Sequence, residues 1–281
     1  MKSSIVLDMD GSLSDRPCAR RIHCGNWYDK LQFRCDEQTL RSFATQLDRQ
    51  LPARHGPILT GGVGLHHLSV PMIARQPHSG LRVVVFDLQP DNMRFPFGLH
   101  CHSWLKQALA LPNVACIYVV GLTSPALGKA TIWNHRTAPL RSGKLHYWLI
   151  GNNPDWPDWL IGTHTLRAFD TPDNLTDALF TLACSERRNT YLSIDHSALS
   201  PPLIAPDHYD GKLKTHHVTF IIDAMARQVV GADITGAPKR YHHPFRWPGL
   251  RAPDPRVCPV QHHAAQQRCN DSLLERLAFA M

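Results

Sequence analysis

Hydrophobic residues in this chain gather into short continuous runs, separated by stretches with helical spacing. The clearest run is Leu81–Phe86, LRVVVF, which is unbroken and ends in Asp87. Ala115–Val120 is a second, ending in Gly121. Unbroken apolar strands suit a parallel sheet covered on both faces, whereas a half-exposed strand alternates. Ser4–Leu7, Pro57–Thr60, Lys144–Leu149, Thr190–Ile194 and Gln228–Ala232 read as further strands. Between them, Leu40–Leu47 carries apolar residues at 40, 43, 44 and 47, the spacing of one helix face. Val70–Ala74, Trp104–Ala110, Asp173–Cys184 and His217–Ala226 also read as helices. Strands alternating with helices predict one α/β domain with a mostly parallel central sheet.

The pattern fades after about Pro244, where Pro, Trp, Arg and Gln dominate, although Asp271–Phe279 reads as a short terminal helix. The expected organisation is therefore a domain over residues 1–243 and an irregular C-terminal extension over 244–281. The longest apolar stretches, Val83–Phe86 and Val114–Leu122, fall far short of the roughly 20 residues that span a bilayer, so no membrane segment is expected. The N-terminal MKSSIVLDMDG places two carboxylates where a signal peptide carries its apolar run, which points to the cytoplasm.

A hydrophobic fraction of 43% excludes a disordered chain. The net charge is +7, but the basic residues are scattered without a long run, so no nucleic-acid partner is expected. Eight cysteines without a CxxC pair argue against a zinc ribbon or a disulfide scaffold and for free thiols. Histidine is unusually abundant at 18, with doublets at 66–67, 216–217, 242–243 and 262–263. Trp148, Trp156 and Trp159 read as packing residues.

Open α/β sheets bind ligands beyond the carboxyl ends of their strands. Three such ends carry metal-binding side chains. His66 and His67 follow one strand, Asp87 and Asp91 follow a second with Pro90 between them, and Asp195 closes a third. Carboxylates suit hard divalent cations and imidazole suits manganese, iron, nickel and zinc, so a shared metal is the expected chemistry. Taken singly, each aspartate is a helix cap and each histidine a packed side chain.

These segments resemble the ureohydrolase family of arginases, agmatinases and formimidoylglutamases. The likeness rests on GGVGLHHLSVP at 61–71, FDLQPDNMRFPFGLHCHSW at 86–104, YLSIDHSALSPP at 191–202 and GADITGAP at 231–238. It implies a three-layer α/β/α domain, a two-manganese centre at the strand ends and hydrolysis of a guanidino, amidino or formimino C–N bond. It places the first metal on His66 or His67, Asp87, Asp91 and Asp195. At the second metal's positions the chain has Gln89 and Ser197 in place of a histidine and an aspartate. One manganese ion rather than two, with zinc or iron as alternatives, is therefore the expected cofactor. His100 and His102 are the candidate proton carriers. The family's substrate-gripping glutamate falls on Gly236, and Asp233 is a substrate-binding candidate only in a shifted position.

Three readings follow. One is a divergent metal-dependent hydrolase acting on a small molecule. Another is a pseudoenzyme of the same fold, serving as a binding or regulatory subunit, in a homo-oligomer or beside a homologous subunit. The last rests on Asp8-Met9-Asp10-Gly11-Ser12 after the first strand, which resembles the nucleophile loop of haloacid-dehalogenase-like phosphatases, with Asp8 as nucleophile and Asp10 as acid/base.

Overall fold

The computed structural model describes residues 2–11, 13, 20–62, 64–96, 98–123, 127–200, 211–237 and 260–281. The boundary expected near 243, and the doublet at 242–243, lie outside the described residues, as do the side chains of 262–263. The strands are β1 (Ile5–Asp8), β2 (Arg20–His23), β3 (Arg34–Cys35), β4 (Ile58–Gly61), β5 (Leu81–Phe86), β6 (Leu99–His100), β7 (Val114–Leu122), β8 (Leu145–Ile150), β9 (Leu166–Phe169), β10 (Thr190–Asp195) and β11 (Val229–Ala237). Nine of them form one sheet in the order β2-β1-β4-β11-β10-β5-β7-β8-β9, paired in parallel throughout. The two-residue strands β3 and β6 form a separate antiparallel pair.

The helices α1 (Gly25–Leu31), α2 (Glu37–Gln50), α3 (Ser69–Ala74), α4 (Leu105–Ala110), α5 (Ala138–Arg141), α6 (Asp158–Ile161), α7 (Pro172–Ser185), α8 (Thr215–Ala224) and α9 (Val260–Ala280) cover both faces. One face packs α2 (Glu37–Gln50), through Leu40, Phe43 and Leu47, and α4 (Leu105–Ala110), through Leu105 and Ala108. The other packs α7 (Pro172–Ser185), α8 (Thr215–Ala224) and α9 (Val260–Ala280), through Leu175, Leu179, Ile221, Ile222, Leu273 and Leu277. Side chains within β5 alternate between the two cores: Val83 and Val85 join one, Val84 and Phe86 the other. A strand buried on both faces has no polar register, which is why LRVVVF is unbroken. This is the expected three-layer α/β/α arrangement.

Local sequence sets the helix starts. Asp36 accepts from the Thr39 N–H at 2.6 Å, and Thr171 accepts from Asn174 with Pro172 in the first turn. Two departures from expectation have plain causes. The strand β2, RRIH, buries only Ile22 and carries no apolar pattern. The C-terminal part is not irregular beyond residue 260: α9 runs from Val260, because VQHHAAQQR lacks helix breakers, and it packs through Leu273, Leu274 and Leu277. Trp148 and Trp156 are buried as expected, whereas Trp159 is 73% exposed.

Candidate metal centre

Strands β4, β11, β10 and β5 lie side by side in the middle of the sheet, and their carboxyl ends share one edge. The loop after β4 turns through Gly64 at φ +76°, where a Cβ would stand 2.5 Å from the Phe33 ring, so glycine alone fits. It delivers His66 into a single helical turn, His66–Leu68, that leads into α3 (Ser69–Ala74). Asp87 follows β5 directly. Asp91 comes four residues later at φ +43°, a left-handed conformation that aspartate tolerates better than most residues. Asp195 ends β10.

His66 is buried, with Nδ1 2.9 Å from Asp87 Oδ2, 3.1 Å from Asp91 Oδ2 and 3.7 Å from Asp195 Oδ2. The far side of the ring fixes its tautomer. Ser193 Oγ and Ser69 Oγ both donate to Asp233 Oδ1 at 2.9 Å, and the Tyr191 hydroxyl donates to Oδ2 at 2.7 Å. With its proton spent on Asp233, Ser193 Oγ accepts from His66 Nε2 at 3.0 Å. Nδ1 then carries the lone pair. It has no aligned hydrogen-bond partner although three carboxylate oxygens crowd around it. A lone pair facing three carboxylates in a buried site repels them unless a cation lies between; without a metal that cation is a proton, because burial opposes the charged ring but Asp87, Asp91 and Asp195 outweigh it and hold the His66 pKa well above its ordinary value. One imidazole nitrogen and three carboxylate oxygens are a donor set for a divalent metal.

The remaining carboxylate oxygens are already engaged. Asp87 Oδ1 accepts from Ser197 Oγ at 3.1 Å and from the Gln89 N–H at 2.9 Å. Asp195 Oδ1 accepts from the Ser197 N–H at 2.7 Å. Asp91 Oδ1 faces His102 Nδ1 at 3.1 Å, and Trp104 Nε1 donates to Asp91 Oδ2 at 2.7 Å. Burial, and then the charge of Asp91, pushes Asp87 up to about 7. Asp91 moves the other way: burial opposes ionisation, but the hydrogen bonds from His102 and His66 outweigh it and hold its pKa well below the usual range. For Cys101 burial likewise favours the neutral thiol, yet His102 and His100 draw it down to about 6.

These groups open into a cavity of about 50 Å³ lined by His66, Asp87, Gln89, Asp91, Cys101, His102, Asp195, Ser197 and Gly236, with Phe33 and Gly64 at its wall. That holds an ion with a few waters. Of the histidine doublet, His66 faces the carboxylates. His67 is fully buried, and burial with the nearby His100 and His66 pushes its pKa down to about 3, so it is a neutral packed side chain. His102 lines the cavity. His100 does not, and its Nδ1 accepts from the His102 N–H at 3.1 Å. Asp233 stands behind His66, buried at 2% exposure and bonded to three hydroxyls, which removes it from contact with a substrate. At Gly236, φ is +85° and an added Cβ would lie 2.7 Å from Asp195 Oδ1.

Asp8 and Asp10 lie at the end of β1, one strand in from the sheet edge. The Asp8 carboxylate accepts from the Gly11 N–H at 3.0 Å and from Arg21 at 3.1 Å, the arrangement of a turn cap and ion pair rather than of an open nucleophile. Sequence spacing pointed to none of Ser69, Trp104, Tyr191 and Ser193. Ser193 is the one with a signal, since it sits two residues before Asp195 on the same side of a strand.

No protein-family model matches the chain, and no curated protein matches it in sequence. Solved structures do. Formimidoylglutamase from Bacillus subtilis superposes with a TM-score of 0.58 over all of this chain and 88% of that one, at 11% identity. The chain has the ureohydrolase fold. Agmatine ureohydrolase of Thermoplasma volcanium gives 0.55 at 12% identity, over 98% of this chain and 89% of that chain. Arginase from Bacillus caldovelox gives 0.54 at 12% identity, over 98% of both. Against a hypothetical agmatinase from Burkholderia thailandensis, with a TM-score of 0.50 and 16% identity, the chain spans 64% of that protein's length. The ureohydrolase fold thus agrees with what the strand-end motifs imply. No helix among the described residues is long and apolar enough to cross a membrane.

Proposed function

We propose that this chain holds a single divalent cation on His66, Asp87, Asp91 and Asp195 and hydrolyses a C–N bond of a small guanidino, amidino or formimino compound. The observation that carries the reading is the orphaned His66 Nδ1 among three carboxylate oxygens. Three carboxylates with one imidazole favour manganese, and zinc or iron suit the same set. A cation there supplies a water of lowered pKa and a Lewis acid at the scissile centre.

The chain's own residues do the rest. Asp233, through Ser193, holds the His66 ring in the tautomer that leaves Nδ1 free. Trp104 and His102 fix Asp91, and Ser197 and the Gln89 amide fix Asp87. His102, turned by its Nδ1 bond to Asp91, keeps Nε2 for passing a proton to the leaving nitrogen. The wall at Gly236 leaves no room for a carboxylate to grip a cationic guanidinium, so substrate orientation falls to other groups.

That same wall favours a second reading, the pseudoenzyme that binds a ligand or regulates a partner. Elemental analysis of the native protein, together with a hydrolysis screen of small C–N compounds, separates the two. One metal per chain, lost in Asp87→Asn, with turnover of a screened compound supports the hydrolase. One metal without turnover supports the pseudoenzyme. Metal-free protein from metal-replete cells overturns the metal assignment itself.

A further inference from the structure

We infer that Arg94 and Arg136 form an anion site beside the metal centre, which takes the carboxylate of a small molecule. Met93 and His135 pair as an isolated antiparallel bridge. On either side of it the Arg94 N–H donates to Asn134 O at 2.7 Å and the Arg136 N–H to Asn92 O at 3.3 Å. Each arginine then reaches across to the opposite segment. Arg94 Nε donates to His135 O at 3.1 Å, and Arg136 Nη1 donates to Met93 O. Each guanidinium is thereby held beside the other's backbone. Asn92 Nδ2 adds a further tie, to Arg136 O at 2.8 Å.

Two features separate this pair from arginines that only tie loops together. The first is the missing counter-charge. Among the described residues, arginine pairs with a carboxylate at Arg21–Asp8, Arg41–Glu37, Arg75–Asp48 and Arg276–Asp223, and neither Arg94 nor Arg136 has such a partner. Burial, and then the charge of Arg94, lowers the pKa of Arg136. Two like charges fixed together without an acid favour an anion between them. The second feature is spare donors. A guanidinium presents a flat fork of N–H groups, and each of these spends one on a backbone carbonyl. The rest match the paired oxygens of a carboxylate.

Chain connectivity joins the pair to the centre at His66. Arg94 follows Asp91 after two residues, and between them the Met93 N–H donates at 3.0 Å to the carbonyl of His102, whose ring lines the cavity. One short segment thus carries a carboxylate of the metal set and a guanidinium of the anion pair. Where the proposed hydrolysis holds, the anion is the far end of the substrate, which is then a guanidino, amidino or formimino acid rather than an amine. The molecule is oriented by its tail, which answers the lack of room at Gly236. That consequence rests on the hydrolase reading, and the anion site itself does not.

The test uses the manganese-loaded, full-length protein and a series of short ω-guanidino acids, each beside its neutral amide. Binding is read by calorimetry for a compound that is not turned over and as KM for one that is. The acids are expected to bind at least about tenfold more tightly than the amides, the size of a charge-assisted hydrogen bond. Arg94→Gln, at an exposed side chain, removes most of that preference. Arg94→Lys keeps part of it, because the charge remains without the fork. Manganese content stays that of the unaltered protein. Equal binding of acid and amide, or none, overturns the site, as does a preference that survives Arg94→Gln combined with Arg136→Gln. Loss of manganese from folded Arg94→Gln overturns it too, and makes the arginine a support for Asp91. An acid preference without turnover of any compound leaves the anion site standing and removes the hydrolase reading. Turnover without an acid preference does the reverse.

Discussion

Ser197 Oγ donates a hydrogen bond to Asp87 Oδ1 at 3.1 Å, and that contact occupies the Asp87 oxygen turned away from His66. The Gln89 amide, at 2.9 Å, occupies the same oxygen. A neutral hydroxyl and a neutral carboxamide cannot replace an aspartate and a histidine as ligands for a hard ion. The double substitution Gln89→His and Ser197→Asp removes the Ser197 hydroxyl from Asp87 Oδ1, leaves the backbone N–H of residue 89 in place there, and supplies both missing donors. Elemental analysis is expected to rise from one metal per chain to two. A ratio that stays at one would show that the loss at this position lies in the backbone rather than in the two side chains.

Among the described residues, Ser193 is the one that bonds both His66 Nε2 and Asp233. Replacing Ser193 with Ala removes the acceptor that fixes the ring. Outer partners of metal-bound histidines typically contribute about 10–100-fold in affinity, so calorimetric titration with manganese is expected to show a loss of that order. The variant also leaves Asp233 with one donor fewer in a buried position, which costs about 1–3 kcal/mol in thermal unfolding. Unchanged manganese affinity in a folded Ser193→Ala protein would remove His66 from the metal set.

The carboxylate cluster makes a signed prediction about pH. Burial and the charge of Asp91 raise Asp87 from 3.8 to about 7 in the folded, metal-free protein. A carboxyl raised above its unfolded value favours the folded state while protonated. Its contribution is full below about pH 4 and is lost as pH climbs towards 7. His67, pushed down to about 3, and Cys101, drawn down to about 6, act in the opposite sense. His66 and His102, both raised well above the ordinary imidazole value, add to the Asp87 effect once pH passes about 6.5, so chelator-treated protein is expected to melt at progressively lower temperature between about pH 6.5 and pH 8. Metal affinity rises over the same interval, because the proton on Asp87 must leave before the ion enters. Melting curves with and without manganese check both: the gap between them widens with pH. A gap that narrows contradicts the assignment.

How much of this was legible in the chain follows from what each residue does. Continuous apolar runs such as LRVVVF declare a doubly covered strand, and an aspartate at the end of such a run declares a strand-end site. Strands β4, β5 and β10, with His66, Asp87, Asp91 and Asp195, were therefore readable. The edge strand β2 was not, because RRIH buries one side chain. Of α9 only the second half was readable, as the helix over 271–279, because its first half is polar. The support behind His66 escaped for a different reason. Ser69, Tyr191, Ser193 and Asp233 lie in α3, β10 and β11, and only the sheet order makes them neighbours. Asp233 was a substrate candidate only through a shifted match to the family's late motif. Its real position is beneath the site.

Gly236 stands where the sequence resemblance places a substrate-gripping glutamate, and it offers a controlled experiment. Its φ is +85°, and a methyl group there would stand 2.7 Å from Asp195 Oδ1 and 3.2 Å from the His196 nitrogen. Gly236→Ala thus meets two penalties: backbone strain of about 1–3 kcal/mol, and displacement of a carboxylate that faces His66. Gly143 has a similar φ of +73° with nothing within 4 Å of an added Cβ, so Gly143→Ala carries the strain alone. Both variants are expected to lower the melting temperature of the metal-free protein, whereas only Gly236→Ala weakens manganese binding. Gly236→Glu is expected to behave like Gly236→Ala and to confer no guanidinium binding, since its first carbon already collides with Asp195. Equal manganese affinity in the two alanine variants would mean that Asp195 yields freely. The wall at Gly236 would then place no limit on which substrates the cavity admits.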